Sequence, residues 1–133
     1  MRRVAKTKKV VWTSDPHYPF QHKKAENMFL DFLDDYHPDV VMLGGDVVDF
    51  YPISDFNKSP ERRHTLQDEI DSAQPFFQAL DKLAPRVVFF EGNHEARLKK
   101  LVGKNPGLYK LRALELPKVL NLPTGWEYVP NQK

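Results

Sequence analysis

Three short apolar runs, each followed at once by residue types that bind metals, constrain the fold of this chain most. The runs cover residues 9–14 (KVVWTS), 39–43 (DVVML) and 86–91 (RVVFFE). They are short and rich in β-branched or aromatic side chains, so we predict three β-strands. The polar motifs that follow them are Asp15-Pro16-His17, Gly45-Asp46 and Gly92-Asn93-His94-Glu95.

The segments between the runs have helical periodicity. Residues 22–36 carry apolar side chains at three-and-four spacing, which indicates an amphipathic helix that His37-Pro38 ends. Ser59-Pro60 resembles a helix start, and we predict a second helix from there to residue 83, with Pro75 kinking or splitting it. Further helices are expected at residues 95–102 and 108–116, and the remainder to residue 133 should be mostly irregular. This β-α-β-α-β-α order predicts an α/β fold with a mostly parallel sheet.

The carboxyl ends of parallel strands share one edge of a sheet, where open α/β sheets bind their ligands. We therefore expect the three motifs to meet. Asp15 and His17 are two residues apart in an extended segment, so their side chains can hold one ion. Asp46 could bridge that ion to a second one, and Asn93 offers a carbonyl oxygen to the second ion. His94 is left to stabilise charge on a phosphoryl group or to protonate a leaving oxygen.

Simpler structural roles exist for several of these residues. Asp15 before a proline can form a turn, and Asp46 after two glycines can cap a helix. Asp49 can be either a ligand or a support, so we leave it outside the predicted metal set. The remaining histidines, His22, His37 and His64, are expected on the solvated surface.

A basic cluster follows the third motif. It could attract a polyanion, although such runs are usually solvated faces. Arg97 is the best candidate in it for a substrate phosphate contact, since it lies about one helical turn from His94. The cluster comprises Arg97, Lys99, Lys100, Lys104, Lys110 and Arg112.

Composition narrows the possible functions. The chain has 133 residues, enough for the core of one domain, which we assign to residues 1–133. Cysteine is absent, so any metal is held by His, Asp, Asn or Glu, and the chain suits a reducing cytoplasm. The net charge of +2 is too small to indicate nucleic-acid binding by itself. No apolar stretch is long enough to span a membrane, so we expect a soluble cytoplasmic protein without membrane partners.

The motifs Asp15-Pro16-His17, Gly45-Asp46-Val47-Val48-Asp49 and Gly92-Asn93-His94-Glu95 resemble the calcineurin-like metallophosphoesterases, whose pattern is D-x-H, G-D-x-x-D and G-N-H-[ED]. The resemblance covers residues 9–97. It implies two divalent metal ions, with Mn as first choice and Fe, Zn, Ni or Mg as alternatives. It also implies Asp15 and His17 on one ion, Asp46 bridging, Asn93 on the other ion, and His94 beside the substrate. The implied activity is attack of a metal-bound hydroxide on a phosphate monoester or diester.

The chain departs from the family pattern after His94. Family members continue with a further histidine and a Gly-His-x-His motif, whereas the five histidines here are His17, His22, His37, His64 and His94. The second ion would have only Asp46 and Asn93, and two ligands rarely hold a metal. We therefore expect the chain to be the N-terminal portion of a longer enzyme; the alternative is a catalytically inactive member that acts as a binding or scaffold module.

The resemblance also implies a sandwich of two sheets flanked by helices, with the second sheet largely built by the part that is missing here. We expect the exposed face of the first sheet to be covered by that C-terminal half or by self-association. An unrelated nucleotide-binding domain is a poor alternative, because no strand is followed by a glycine-rich phosphate loop. The substrate stays open among nucleotides, nucleic acid, phosphoproteins and small phosphodiesters.

Overall fold

The computed structural model describes residues 6–131, and its centre is a four-stranded sheet. The strands are β1 (Val10–Thr13), β2 (Val40–Leu43), β3 (Val87–Phe90) and β4 (Glu127–Val129), in that spatial order. All three neighbouring pairs are parallel, with Val10 opposite Val40 and Val41 opposite Val87. The predicted α/β class is therefore confirmed.

Two long helices connect the first three strands. They are α1 (Lys23–Tyr36) and α2 (Leu66–Leu83). Helix α1 begins where predicted, because His22 Nδ1 accepts the Ala25 N–H at 3.2 Å as an N-cap. It ends at His37, whose backbone is left-handed at φ 52°. The exposed surface positions predicted for His22 and His37 are confirmed.

Helix α2 starts later than predicted. Residues 59–65 contain only a turn and irregular chain, and Thr65 is the N-cap, with a reciprocal capping box to Asp68. The box satisfies two backbone donors, whereas the Ser59 hydroxyl makes only a long 3.4 Å contact with the Glu61 N–H. Of the two outcomes predicted for Pro75, splitting does not occur, because α2 is continuous, and a kink stays a prediction. Asp71 loses the N–H donor that Pro75 lacks, and both residues lie on the exposed side of the helix.

The chain after β3 also differs from the prediction. Helix α3 (Ala96–Gly103) matches, but residues 108–116 form short 3₁₀ turns followed by α4 (Leu116–Val119). A left-handed Lys110, at φ 60°, interrupts any longer helix there. The segment predicted to be irregular supplies β4. A bidentate ion pair between Arg86 and Glu127, with N···O distances of 2.8–3.2 Å, holds the first residue of this strand. No helix within residues 6–131 is long and apolar enough to cross a membrane.

The core lies between the sheet and helices α1 and α2. Phe77 of α2 is fully buried, with its ring 6.3 Å from Phe89 and 5.5 Å from Trp126. The opposite face of the sheet is exposed only in part: Val10 is 49% and Trp12 57% exposed, whereas Val40 and Val88 on the same face are buried. The predicted exposed sheet face is thus present at strand β1, and what covers it stays a prediction. With one face packed on helices, the loops after β1, β2 and β3 are held at one edge.

Candidate metal centre

Backbone hydrogen bonds hold the loops after β1 and β2 against each other. The Asp15 N–H donates to Gly45 O at 3.0 Å, the His17 N–H to Asp46 O at 3.1 Å, and the Tyr18 N–H to Val47 O at 2.8 Å. These bonds continue the parallel pairing past the ends of the strands. The first two motifs therefore lie side by side, as strand order predicted.

The loop after β3 joins them through a close approach that requires glycine. A Cβ on Gly92 would stand 2.3 Å from both the backbone N and Oδ1 of Asp46. Because no side chain is in the way, the His94 N–H reaches Asp46 Oδ1 at 2.8 Å. That bond fixes the Asp46 carboxylate, which stays partly buried between the loops.

Three candidate site residues have left-handed backbone conformations, so the extended segment predicted for Asp15 to His17 is wrong. The φ angles are 60° at Asp15, 52° at His17 and 51° at Asp46. Non-glycine residues in this region cost about 1–2 kcal/mol each, with aspartate tolerating it best. Such strain concentrates at functional sites, where the surrounding structure enforces it. Here the parallel hydrogen bonds between the loops enforce it and turn the side chains toward one point.

The side chains at that point form a group that could bind a metal. Ligand atoms of His17, Asp46 and His94 all lie within 4.8 Å of one another, and the rings of the two histidines meet edge to face at 4.4 Å. Asp15 Oδ1 is 3.5 Å from His17 Nε2. Two ligands about 2.1 Å from one ion at the tetrahedral angle are about 3.4 Å apart, so this pair fits a shared ion.

Electrostatics at this edge favour a cation. The Ser14 hydroxyl, followed by His17, holds the pKa of the Asp15 carboxyl below its usual range, so Asp15 is ionised at neutral pH. Two further acidic residues belong to this edge. Asp49 contacts both His17 and His94, and Asp46 is grouped with the same two histidines. A group of carboxylates and imidazoles suits divalent transition metals.

Asp49 supports both histidines. His17 Nδ1 donates to Asp49 Oδ1 at 3.0 Å, and His94 Nδ1 lies 3.3 Å from the same oxygen. His94 Nδ1 also donates to the Asp49 main-chain carbonyl at 2.7 Å. A carbonyl can only accept, so the proton of a neutral His94 is on Nδ1 and its lone pair is on Nε2. The role that the sequence left open for Asp49 is thus a supporting one, since it orients both rings.

Arg97 lies at the site but already has partners. Its Nη1 donates to the Asp49 carbonyl at 2.8 Å, and its guanidinium carbon is 5.9 Å from the centre of the Phe56 ring. It lines a cleft of about 600 Å³ together with Asn93, Lys99 and Lys100. Asn93 is exposed on the wall of this cleft. Its role as a metal ligand stays a prediction, and so does the phosphate contact of Arg97.

Two buried glutamates support the site without having been predicted. Glu95 Oε1 accepts the Val47 N–H at 3.0 Å, next to Asp46, and burial raises the pKa of Glu95 to about 8. Glu69 of α2 accepts the Phe50 and Tyr51 N–H groups at 2.6 and 3.2 Å, next to Asp49. The sequence signal for Glu69 was weak, because a glutamate in the first turn of a helix is ordinary.

His64 corrects one prediction. It was expected on the solvated surface, but its Nε2 lies 2.7 Å from Glu69 Oε1, and its side chain is only 18% exposed. Because helix α2 starts at residue 66 and not at Ser59, the chain before it folds back and brings His64 over the glutamate. His64 therefore belongs to the support of the loop after Asp49.

Comparisons with known proteins agree with this geometry. The model of one protein family, described as calcineurin-like phosphoesterase, matches residues 8–131. The match contains all three motifs and every residue of the metal-binding group. No curated protein sequence matches the chain.

Proposed function

This chain belongs to the calcineurin-like phosphoesterase family, and from that premise we propose that it hydrolyses a phosphate monoester or diester with the help of two divalent metal ions. The observation that carries the proposal is the convergence of His17, Asp46 and His94 within 4.8 Å, with Asp15 beside them. Metal-dependent phosphoester hydrolysis is the general activity of the family. The number of ions and the substrate are the proposed parts.

The donor set supports the proposed metal sites. Asp15, His17 and Asp46 would hold the first ion, and Asp46 with Asn93 would hold part of the second, Mn²⁺ being the first choice. When bound, such ions lower the pKa of water, which supplies the nucleophile, and polarise a phosphoryl oxygen. Asp46 is shared by both proposed sets, so it would be the bridging ligand, and its carboxylate is positioned by the His94 N–H.

His94 is proposed as the proton donor to the leaving oxygen. Its Nδ1 is held by the Asp49 carbonyl at 2.7 Å, so proton exchange with substrate has to use Nε2. Asp49 keeps the ring oriented, because its carboxylate oxygen also lies 3.3 Å from Nδ1. The same Nε2 could instead bind an ion, since His94 belongs to the group of possible ligands. Metal content measured on a His94 variant separates the two roles.

Arg97 is proposed to contact the phosphate. Its guanidinium has five N–H donors, and the structure uses one nitrogen on the Asp49 carbonyl. Arg97 and Asn93 line the same cleft. A phosphate held between the two would therefore meet a planar, permanently charged donor.

Hydrolysis of bis-p-nitrophenyl phosphate and p-nitrophenyl phosphate tests the proposed function. We expect slow turnover that needs Mn²⁺ and stops with a chelator, because this chain gives the second ion only two ligands. Asp46→Asn should abolish it, while Asp31→Asn, an exposed position on α1, should leave it unchanged. Turnover that survives both the chelator and Asp46→Asn would contradict the proposal. Tight Mn²⁺ binding without any turnover would favour the inactive binding module.

A further inference from the structure

The cleft beside Asn93 and Arg97 contains an aromatic ring that none of the proposed roles uses. Phe56 lines this cleft of about 600 Å³, and 73% of the residue is exposed. The centre of its ring lies 5.9 Å from the guanidinium carbon of Arg97, the residue proposed to contact the substrate phosphate. An open aromatic ring therefore lies next to the proposed phosphate contact.

The loop that carries Phe56 is bonded on both sides of the ring. Before it, Asp55 Oδ1 accepts from Lys104 Nζ at 3.0 Å, which attaches the loop to the residue that follows α3. After it, Lys58 Nζ donates to the Phe56 carbonyl and to Ser54 Oγ, both at 2.8 Å, which closes the loop on itself. A single exposed apolar side chain is ordinary on a protein surface. This one is held at the wall of a cleft by bonds to its neighbours, so it is preorganised for a ligand.

The charges in the cleft favour an anion beside this ring. Among the described residues that line it, three are cationic and two are acidic, and both acidic side chains already have donors. Asp55 pairs with Lys104, and Glu91 Oε2 accepts from the Tyr128 hydroxyl at 2.7 Å. Lys99 is exposed and forms no ion pair within residues 6–131. The cationic residues are Arg97, Lys99 and Lys100.

We propose that this cleft binds a nucleotide, with the base stacked on Phe56 and the phosphate between Arg97 and the metal centre. Every nucleobase has a π-face, and stacking on an aromatic side chain binds bases without reading their edges. The ribose separates the base from the phosphate, so one ligand can contact the ring and the guanidinium together. A small phosphodiester without an aromatic group would leave Phe56 unused. This substrate class rests on the proposed function, because only phosphoesterase chemistry puts the reacting phosphate at the metal centre.

Binding to the metal-free protein tests the nucleotide site without turnover. We would titrate the protein with AMP and with ribose 5-phosphate, which lacks the base, at constant ionic strength, and follow backbone amide signals by NMR. Saturable shifts at Phe56 and Arg97 are expected with AMP. Its affinity should be about 5–150-fold higher than that of ribose 5-phosphate, the range expected for one stacked base.

Variants of two exposed aromatic residues locate the stacked base. Phe56→Ala should lose about 5–150-fold in AMP affinity and keep the affinity for ribose 5-phosphate, whereas Phe56→Trp should retain AMP binding. Because Phe56 is exposed, both variants should keep the amide spectrum of the folded protein. The matched control is Tyr109→Ala, which should bind AMP like the parent. Tyr109 is 69% exposed but is not one of the described residues that line the cleft.

Equal affinities for AMP and ribose 5-phosphate, unsaturable shifts, or an unchanged AMP affinity in Phe56→Ala would overturn the proposal. Phosphotyrosine that binds more tightly than AMP, and loses its affinity in Phe56→Ala, would also overturn it and assign the ring to a phosphoprotein substrate. Nucleotide binding by a protein that hydrolyses no ester would remove only the proposed function. Ester hydrolysis by a protein that binds AMP and ribose 5-phosphate equally would remove only the nucleotide site.

Discussion

Removing Asp49 should weaken metal binding, although Asp49 is not a proposed ligand. Its carboxylate accepts from His17 Nδ1 at 3.0 Å and lies 3.3 Å from His94 Nδ1. Supports of this kind typically contribute 10–100-fold to metal affinity. Asp49→Asn keeps an oxygen for His17 and loses the charge, so we expect about a tenfold loss of Mn²⁺ affinity. Asp49→Ala frees the His17 ring, so we expect about a hundredfold loss.

The main chain at residue 49 makes the prediction more specific. The Asp49 carbonyl holds His94 at 2.7 Å and Arg97 at 2.8 Å, and no side-chain substitution removes it. His94 should therefore stay oriented in both variants, while His17 should gain ring mobility in Asp49→Ala. The two rings can be followed separately by their imidazole NMR signals.

The assay is a Mn²⁺ titration in which the EPR signal of free Mn²⁺ reports binding, at fixed pH and ionic strength. Urea unfolding in a chelator confirms that each variant folds, and Asp31→Asn is the control for loss of a carboxylate elsewhere. A folded Asp49→Ala protein that binds Mn²⁺ as tightly as the parent would refute the argument that Asp49 orients the ligands.

Three further predictions use the same structure. His94→Ala should keep its metal content in metal analysis while kcat falls by roughly 10²–10⁴-fold, and loss of the metal would make His94 a ligand. Gly92→Ala puts a Cβ 2.3 Å from Asp46 atoms, so urea unfolding should show that the free energy of unfolding falls by about 1–3 kcal/mol. The control is Gly103→Ala, where a Cβ has no neighbour within 4 Å, and this variant should show no such loss. Burial raises the pKa of Glu69 above 4.5, so its contribution to stability declines as pH rises from 4.5 through the raised pKa. Urea unfolding should show Glu69→Gln gaining stability relative to the parent over that range, and a constant difference would contradict it.

The alternation of strands and helices was predictable because the relevant signals are local. Each strand is a compact apolar run, and each motif follows directly after one, so their convergence needed only the rule that parallel strands end at one edge. The first helix was predictable for the same reason, since His22 and His37 lie at its ends. Local periodicity and turn chemistry were sufficient there.

The parts that the sequence did not predict depend on contacts between distant residues. Two candidate caps, Ser59 and Thr65, precede α2, and reciprocal bonding to Asp68 selects the second. Strand β4 has only three residues and forms because β3 offers it an edge. Glu69 bonds to backbone groups that lie 18 and 19 positions before it in the sequence. Glu95 bonds to a backbone group 48 positions before it. Spacing along the chain carries no signal for such pairs.

Anomalous diffraction from crystals soaked in MnCl₂, recorded at the Mn absorption edge, tests the central claim most directly. The account predicts a Mn²⁺ peak within about 2.0–2.3 Å of a carboxylate oxygen of Asp15, of His17 Nε2 and of a carboxylate oxygen of Asp46. In crystals of Asp46→Asn the same peak should be lost or strongly reduced. A Mn²⁺ peak bound elsewhere on the chain, with none between Asp15, His17 and Asp46 at saturating Mn²⁺, would contradict the account.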